Sequence, residues 1–148
     1  MEKQEFAIYL ERFIRTEDFS CFVRAVDSFL GKMPDEYLDS KSLVRAAILQ
    51  FLFLSGVDVE CSVMTNRGRI DLVFPLGDSV YAVGVKIGMD AARIVKRLRT
   101  INAPERLGRK YRRIHLVGLS FNPRTKSIGD WKEETAAGSP WIIRGSRW

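Results

Sequence analysis

A chain of 148 residues, 46% hydrophobic and 28% charged, has the size and apolar content of one domain with its own core. It contains no run of about 18 uncharged apolar residues, and its N-terminus, M-E-K-Q-E-F, lacks the apolar centre of a signal peptide, so neither a membrane span nor a secretory leader is expected. The net charge is +6, which directs attention to acidic partners.

Residues 3–14 and 17–31 carry apolar side chains at helical spacing. Phe6, Tyr9, Leu10 and Phe13 form one stripe, and Phe19, Phe22, Val23, Val26, Phe29 and Leu30 form another. Thr16-Glu17-Asp18 between them supplies a cap for the second helix, and Gly31 ends it. A connector, Lys32–Asp39, holds Pro34. Asp39 or Ser40 then caps a broadly apolar helix over about Lys41–Leu54, of the kind that lies on a sheet. Residues 1–38 thus read as an N-terminal helical segment on a core domain of 39–134, with a tail at 135–148.

Val57–Met64 alternates, with Val57, Val59, Cys61 and Val63 on one face and Asp58, Glu60 and Ser62 on the other. It predicts a strand with one wet face. Thr65–Gly68 is a hairpin turn. Ile70–Phe74 and Val80–Val85 are two further strands, joined by the turn cluster Pro75-Leu76-Gly77-Asp78. Asp90 caps a helix over about 91–101, interrupted by Asn102-Ala103-Pro104, and 105–111 suggests a further short helix. Ile114–Phe121 reads as a buried strand and Ser127–Glu133 as a short final one. Helix, three strands, helix and strand in that order give an α/β domain with a mixed sheet flanked by helices.

Two residues are out of place for packing alone. Asp71 lies inside an apolar strand, and Lys86 ends the next one. An unpaired charge is costly to bury, so each needs a reason to be there. Gly84 and Lys86 share a face by period-2 geometry, and acid and base converge if Asp71 faces the same way. Glu60, on the neighbouring strand, is a solvent-face residue by its alternation. Asp78 and Asp90 read as a turn residue and a helix cap. His115, the only histidine, has no Cys, His or carboxylate motif beside it and reads as structural. Cys21 and Cys61 form no metal-ligand pattern, and two lone cysteines of this kind suggest a reduced, cytoplasmic setting.

The positive charge is concentrated. Residues 93–113 hold nine bases against one acid, Glu105, while the rest of the chain holds 15 bases and 17 acids. Arg93, Lys96 and Arg97, on the helix directly after the lysine strand, are the candidate nucleic-acid contacts. A solvated helix face is the competing meaning of such a run.

The segments G-R-I-D-L-V at 68–73, the strand ending in Lys86, H-L-V-G-L-S-F at 115–121, I-G-D-W at 128–131 and Met33-Pro34 together resemble the PD-(D/E)XK nuclease superfamily. The nearest group is the bacterial one whose nuclease domain often follows an AAA-type ATPase domain. The resemblance covers roughly residues 10–134. It implies a restriction-endonuclease-like core and Mg²⁺- or Mn²⁺-dependent hydrolysis of phosphodiesters, with DNA as the first-choice substrate. It also implies an ATPase domain as a partner, although the chain has no G-x-x-x-x-G-K-[ST] loop of its own. Carried over to this sequence, it makes Asp71 and the Val85 carbonyl metal ligands and Lys86 the electrostatic catalyst. The chain departs from the pattern at three places. Gly84 stands where a second metal-binding Glu is expected, Ser40-Lys41-Ser42 lacks the family's helix acid, and Arg93 stands where a Gln is common. Impaired cleavage is therefore expected. Catalytically inactive nucleic-acid binding and a protein-interaction role on the same fold are the alternatives.

Overall fold

A computed structural model describes residues 4–138. The helices are α1 (Glu5–Thr16), α2 (Phe19–Gly31), α3 (Lys41–Leu54), α4 (Ala91–Thr100) and α5 (Ala103–Leu107). The strands are β1 (Glu60–Thr65), β2 (Gly68–Leu76), β3 (Ser79–Ile87), β4 (Arg113–Asn122) and β5 (Ser127–Ala137), and a 3₁₀ turn at Asp35–Leu38 connects α2 to α3. The five strands form one mixed sheet in the order β1-β2-β3-β4-β5. Only β3 and β4 run parallel, with α4 in their crossover, and the other neighbours are antiparallel. The α/β class and the N-terminal helical segment match the sequence expectation. No helix among the described residues is long and apolar enough to cross a membrane.

Local chemistry sets the boundaries. The Asp18 carboxylate accepts the Ser20 N–H at 3.0 Å and starts α2. The Ser40 hydroxyl accepts the Leu43 N–H at 3.2 Å and starts α3. Asp90 accepts from the Arg93 N–H at 2.9 Å and starts α4. Each cap satisfies a backbone donor that has no partner within its helix. β5 is longer than the predicted strand, because its pairing with β4 continues to Arg113↔Ala137. Residues 135–137 of the expected tail therefore belong to the sheet, Gly138 follows them, and 139–148 lie outside the described residues.

Two cores flank the sheet. On one side Phe13, Phe22 and Phe51 of the first three helices pack with Leu72, Phe74, Tyr81, Val83 and Val85. Phe13 meets Tyr81 edge to face at 5.4 Å, and Phe22 stacks on Phe74 at 5.6 Å. Each such ring contributes about 1.5–3 kcal/mol by burial, so α1 and α2 form part of the core. On the other side Val80, Ala82, Ile114 and Leu116 meet Val95, Leu98 and Ile101. Here Gly84 pairs with Gly118 across β3 and β4, directly under α4. A Cβ on Gly84 would stand 2.6 Å from Ile94 Cγ2, and one on Gly118 would stand 2.6 Å from the Ala91 carbonyl. Two adjacent glycines bring this helix close to the sheet.

Candidate functional site

Asp71 sits at a fault in β2. Leu72 and Phe74 face the α1–α3 side, while Val73 faces the α4 side. Strict alternation would send Ile70 with Leu72, yet Ile70 packs on the α4 side. The slip falls on Asp71. Its would-be partner in β1, Ser62, drops out of the ladder between Cys61↔Leu72 and Val63↔Ile70 and has a φ of 53°. On the other flank the β2–β3 ladder stops at Leu72↔Val83. Continuing that register by two residues would pair Val85 with Ile70. Instead the Val85 N–H donates to Asp71 Oδ2 at 2.8 Å. The carboxylate thus lies between the strands and completes the sheet's hydrogen bonding with a side chain.

Asp71 is 6% exposed. Its second oxygen faces Arg45 Nη1 of α3 at 3.4 Å. That distance is long for a hydrogen bond, so the contact is chiefly an ion pair. Burying a carboxylate is tolerable when it is both paired and hydrogen-bonded, as it is here.

Lys86 follows Val85 at the end of β3 and is half-buried. Its pKa falls to about 8. Burial is the main cause and the neighbouring Lys41 is the next. Attraction to Asp71 opposes the shift, and repulsion from Lys41 and Arg97 adds to it. Lys41 opens α3, and Arg45 follows one turn later on the same side. Arg97 comes from α4. Asp71 and Lys86 are close enough to interact electrostatically. Arg45 pairs with Asp71, Lys86 is attracted to the same carboxylate, and Lys41 and Arg97 act in turn on Lys86. Lys41 and Arg45 escaped the sequence reading, although they are the only charges in the otherwise apolar segment K-S-L-V-R-A-A-I-L-Q-F-L-F-L.

A divalent metal needs a different donor set. Mg²⁺ takes oxygen ligands, commonly one or two carboxylates with waters. The one carboxylate here is already engaged by a guanidinium and a backbone N–H. No group of three His, Cys, Asp or Glu that could hold a metal occurs among the described residues. Glu60 is exposed and pairs with Val73. Position 84 points into Ile94 and Leu98 of α4. This corrects the expectation that a side chain there would face Asp71. Glycine is required by helix packing, and a Glu would be driven against α4. The residues present do not fit the metal that the resemblance implies.

The basic segment is not one surface. Arg93, Lys96 and Arg97 are exposed along the outer side of α4, and none has an ion-pair partner among the described residues. Arg99 instead donates twice to Glu134 Oε1, at 3.0 and 3.2 Å, and Arg106 donates to the Met64 carbonyl at 3.2 Å. Arg113 pairs with Ser79, at the end of the sheet opposite the Lys86↔Ser120 pair. His115 is buried, stacks on Tyr81 at 4.2 Å and lies 2.7 Å from Glu133, well down the strand from Lys86. No family model and no curated protein matches this chain.

Proposed function

We propose that this chain is a nucleic-acid-binding domain on a nuclease-like α/β fold that holds phosphates without hydrolysing them. The observation that carries the reading is the inverted charge of the site, where Arg45 already neutralises the one carboxylate and Lys86 lies under the repulsion of Lys41 and Arg97. A catalytic metal centre of the expected type collects negative oxygens. This arrangement collects positive nitrogens, which suit phosphate oxygens. The exposed stripe of Arg93, Lys96 and Arg97 supports the same reading, because it extends the positive surface away from Lys86 along α4.

The test is fluorescence anisotropy on single- and double-stranded DNA and RNA over a salt series. Each phosphate contact contributes about 0.9 to the log–log salt slope on duplex DNA. Changing Arg93, Lys96 and Arg97 together to Ala is expected to weaken binding and flatten the slope by about 2–3. Unchanged affinity and slope would remove the reading. Incubation of the same substrates with Mg²⁺ or Mn²⁺ is expected to give no cleavage. Cleavage that Asp71→Ala abolishes would restore the nuclease assignment.

A further inference from the structure

We infer that the cavity at the carboxyl ends of β3 and β4 is a pocket for one unpaired nucleobase, read by Ser120, Asn122 and Asp130, with guanine the best fit. The inference rests on the nucleic-acid reading and assigns a base-binding subsite to it.

The first support is position. β3 and β4 are the parallel pair, and they end at Ile87 and Asn122. Ligands of open α/β sheets bind outside the carboxyl ends of such strands. A cavity of about 560 Å³ lies here, with Ile87, Phe121 and Pro123 among its apolar walls. That volume is within the range of small-ligand sites, about 300–1,000 Å³. The β4–β5 ladder slips between Ser120 and Phe121, so that Ser120 pairs with Asp130, Phe121 pairs with Ile128 and Gly129 is left between them. A bulge of this kind re-aims side chains at the rim of a sheet.

The second is a set of uncommitted polar groups on the cavity wall. Ser120 is 8% exposed, and its hydroxyl makes no hydrogen bond among the described residues. A buried hydroxyl without a partner is costly, and a ligand that accepts from it removes that cost. Asp130 Oδ2 accepts the Ala91 N–H at 2.8 Å, which leaves Oδ1 available. Asn122 Oδ1 accepts the Arg124 N–H at 2.9 Å, which leaves the Nδ2 donors available. Apolar walls with a few polar groups are the composition of a binding pocket. An ionised carboxylate only accepts, whereas the hydroxyl and the amide nitrogen donate. Guanine, alone of the four bases, presents two adjacent N–H donors beside a carbonyl on its Watson–Crick edge. Thymine presents a single N–H between two carbonyls, which the carboxylate would repel.

The third is the path to the phosphates. The hydrogen bond from Ala91 to Asp130 sets the cavity wall against the start of α4. Arg93 lies about 3 Å further along the helix. Lys86, next to Ile87, pairs with Ser120. A strand whose phosphates follow Arg93 and Lys96 has a base within reach of the cavity. Unpaired bases are recognised in this way, by contact on the face and hydrogen bonds on the edge.

The experiment uses the full chain without divalent metal, fluorescence anisotropy, and short DNA strands of equal charge. Each is a thymidine strand whose central residue is guanine, thymine or an abasic sugar. The guanine strand is expected to bind at least about tenfold more tightly than the abasic strand, and the thymine strand to gain less than about threefold. Asp130→Asn keeps an acceptor for the Ala91 N–H and offers donors in place of the second oxygen. It is expected to remove the preference for guanine over thymine, and taking the ratio cancels the variant's added positive charge. Ser120→Ala is expected to lower the guanine-to-abasic ratio about threefold. Circular dichroism checks the folding of both, and Ser120→Ala, which adds no atoms, keeps the test decisive should Asp130→Asn loosen α4. Equal binding of the three strands would overturn the pocket and leave nucleic-acid binding standing. A guanine advantage unchanged in both variants would also overturn it, because the base would then be read elsewhere. Absence of binding to every strand would overturn the pocket and the functional reading together.

Discussion

Arg45 and Asp71, 26 residues apart in sequence, form an ion pair at 3.4 Å that ties α3 to the fault in β2. The pair explains how a carboxylate that is 6% exposed persists inside an apolar strand. It also means that the acid is structurally committed. Arg45→Met is expected to destabilise the fold by about 1–3 kcal/mol, because it leaves a buried charge with only one donor; the partial exposure of Arg45 keeps the cost below that of a fully buried pair. Asp71→Ala orphans the Val85 N–H and is expected to cost about 1–3 kcal/mol. Asp71→Asn keeps an acceptor and should cost less. In a urea double-mutant cycle, Arg45→Met combined with Asp71→Asn is expected to cost less than the two single changes together. Additive losses would show that the two residues are not coupled.

Gly84→Glu is expected to destabilise the protein and to create no metal-dependent cleavage. The added Cβ alone would stand 2.6 Å from Ile94 Cγ2, so even Gly84→Ala should cost about 1–3 kcal/mol by overpacking. Ile94→Val keeps the clashing Cγ2 and should restore little, whereas Ile94→Ala in the Gly84→Ala background should restore part of the loss. Thermal unfolding of the four variants is the measurement. A Gly84→Glu protein as stable as the wild type would show that the side chain has another way out.

These two sites mark where the sequence is legible and where it is not. Helix α3 was placed from Lys41 to Leu54 because its cap and apolar pattern are local signals. Asp71 stood out because an acid inside Ile70–Phe74 has no packing rationale. Its orientation was hidden, since a one-residue slip in β2 reverses the face on which any period-2 reading would place it. The role of Gly84 was hidden for a related reason. Its partner, Gly118, lies 34 residues away, and only the parallel register brings them together beneath α4. Arg45 is a tertiary partner of the same kind. The length of β5 was underestimated because Glu133 and Glu134 look like the start of a polar tail, whereas the edge strand turns them toward His115 and Arg99.

Asp27 provides a pH test of the α2–β5 contact. Its carboxylate accepts the Ile128 N–H at 2.6 Å, yet burial raises its pKa above the ordinary aspartate value. The folded state therefore binds the proton more tightly than the unfolded chain. The associated stability is fully present below the unfolded pKa of 3.8 and is lost as pH rises through the higher folded value. Asp27→Asn keeps an acceptor and removes the charge. Relative to wild type it is expected to gain stability as pH rises from 3 toward 7, with a Tm advantage of about 1–3 °C at neutrality. A loss of Tm at pH 7 would show that the charged hydrogen bond outweighs the cost of burial.

Lys86 is expected to trade stability for binding. Burial and the neighbouring cations Lys41 and Arg97 lower its pKa from 10.5 to about 8, despite the pull of Asp71. The unfolded chain therefore holds this proton more tightly than the folded one. The stability linked to Lys86 is fully present above 10.5 and is lost as pH falls through about 8, so the protonated side chain weakens the fold at neutral pH. Methionine has nearly the same length and no charge. Lys86→Met should raise Tm by about 1–3 °C at pH 7, with the gain shrinking as pH rises from 8 toward 10.5. The same variant should bind nucleic acid more weakly. A residue that destabilises its own fold and strengthens ligand binding is the signature of a functional position. Calorimetry and anisotropy on one preparation check both halves. Lower Tm together with undiminished binding would identify Lys86 as a structural residue and remove it from the site.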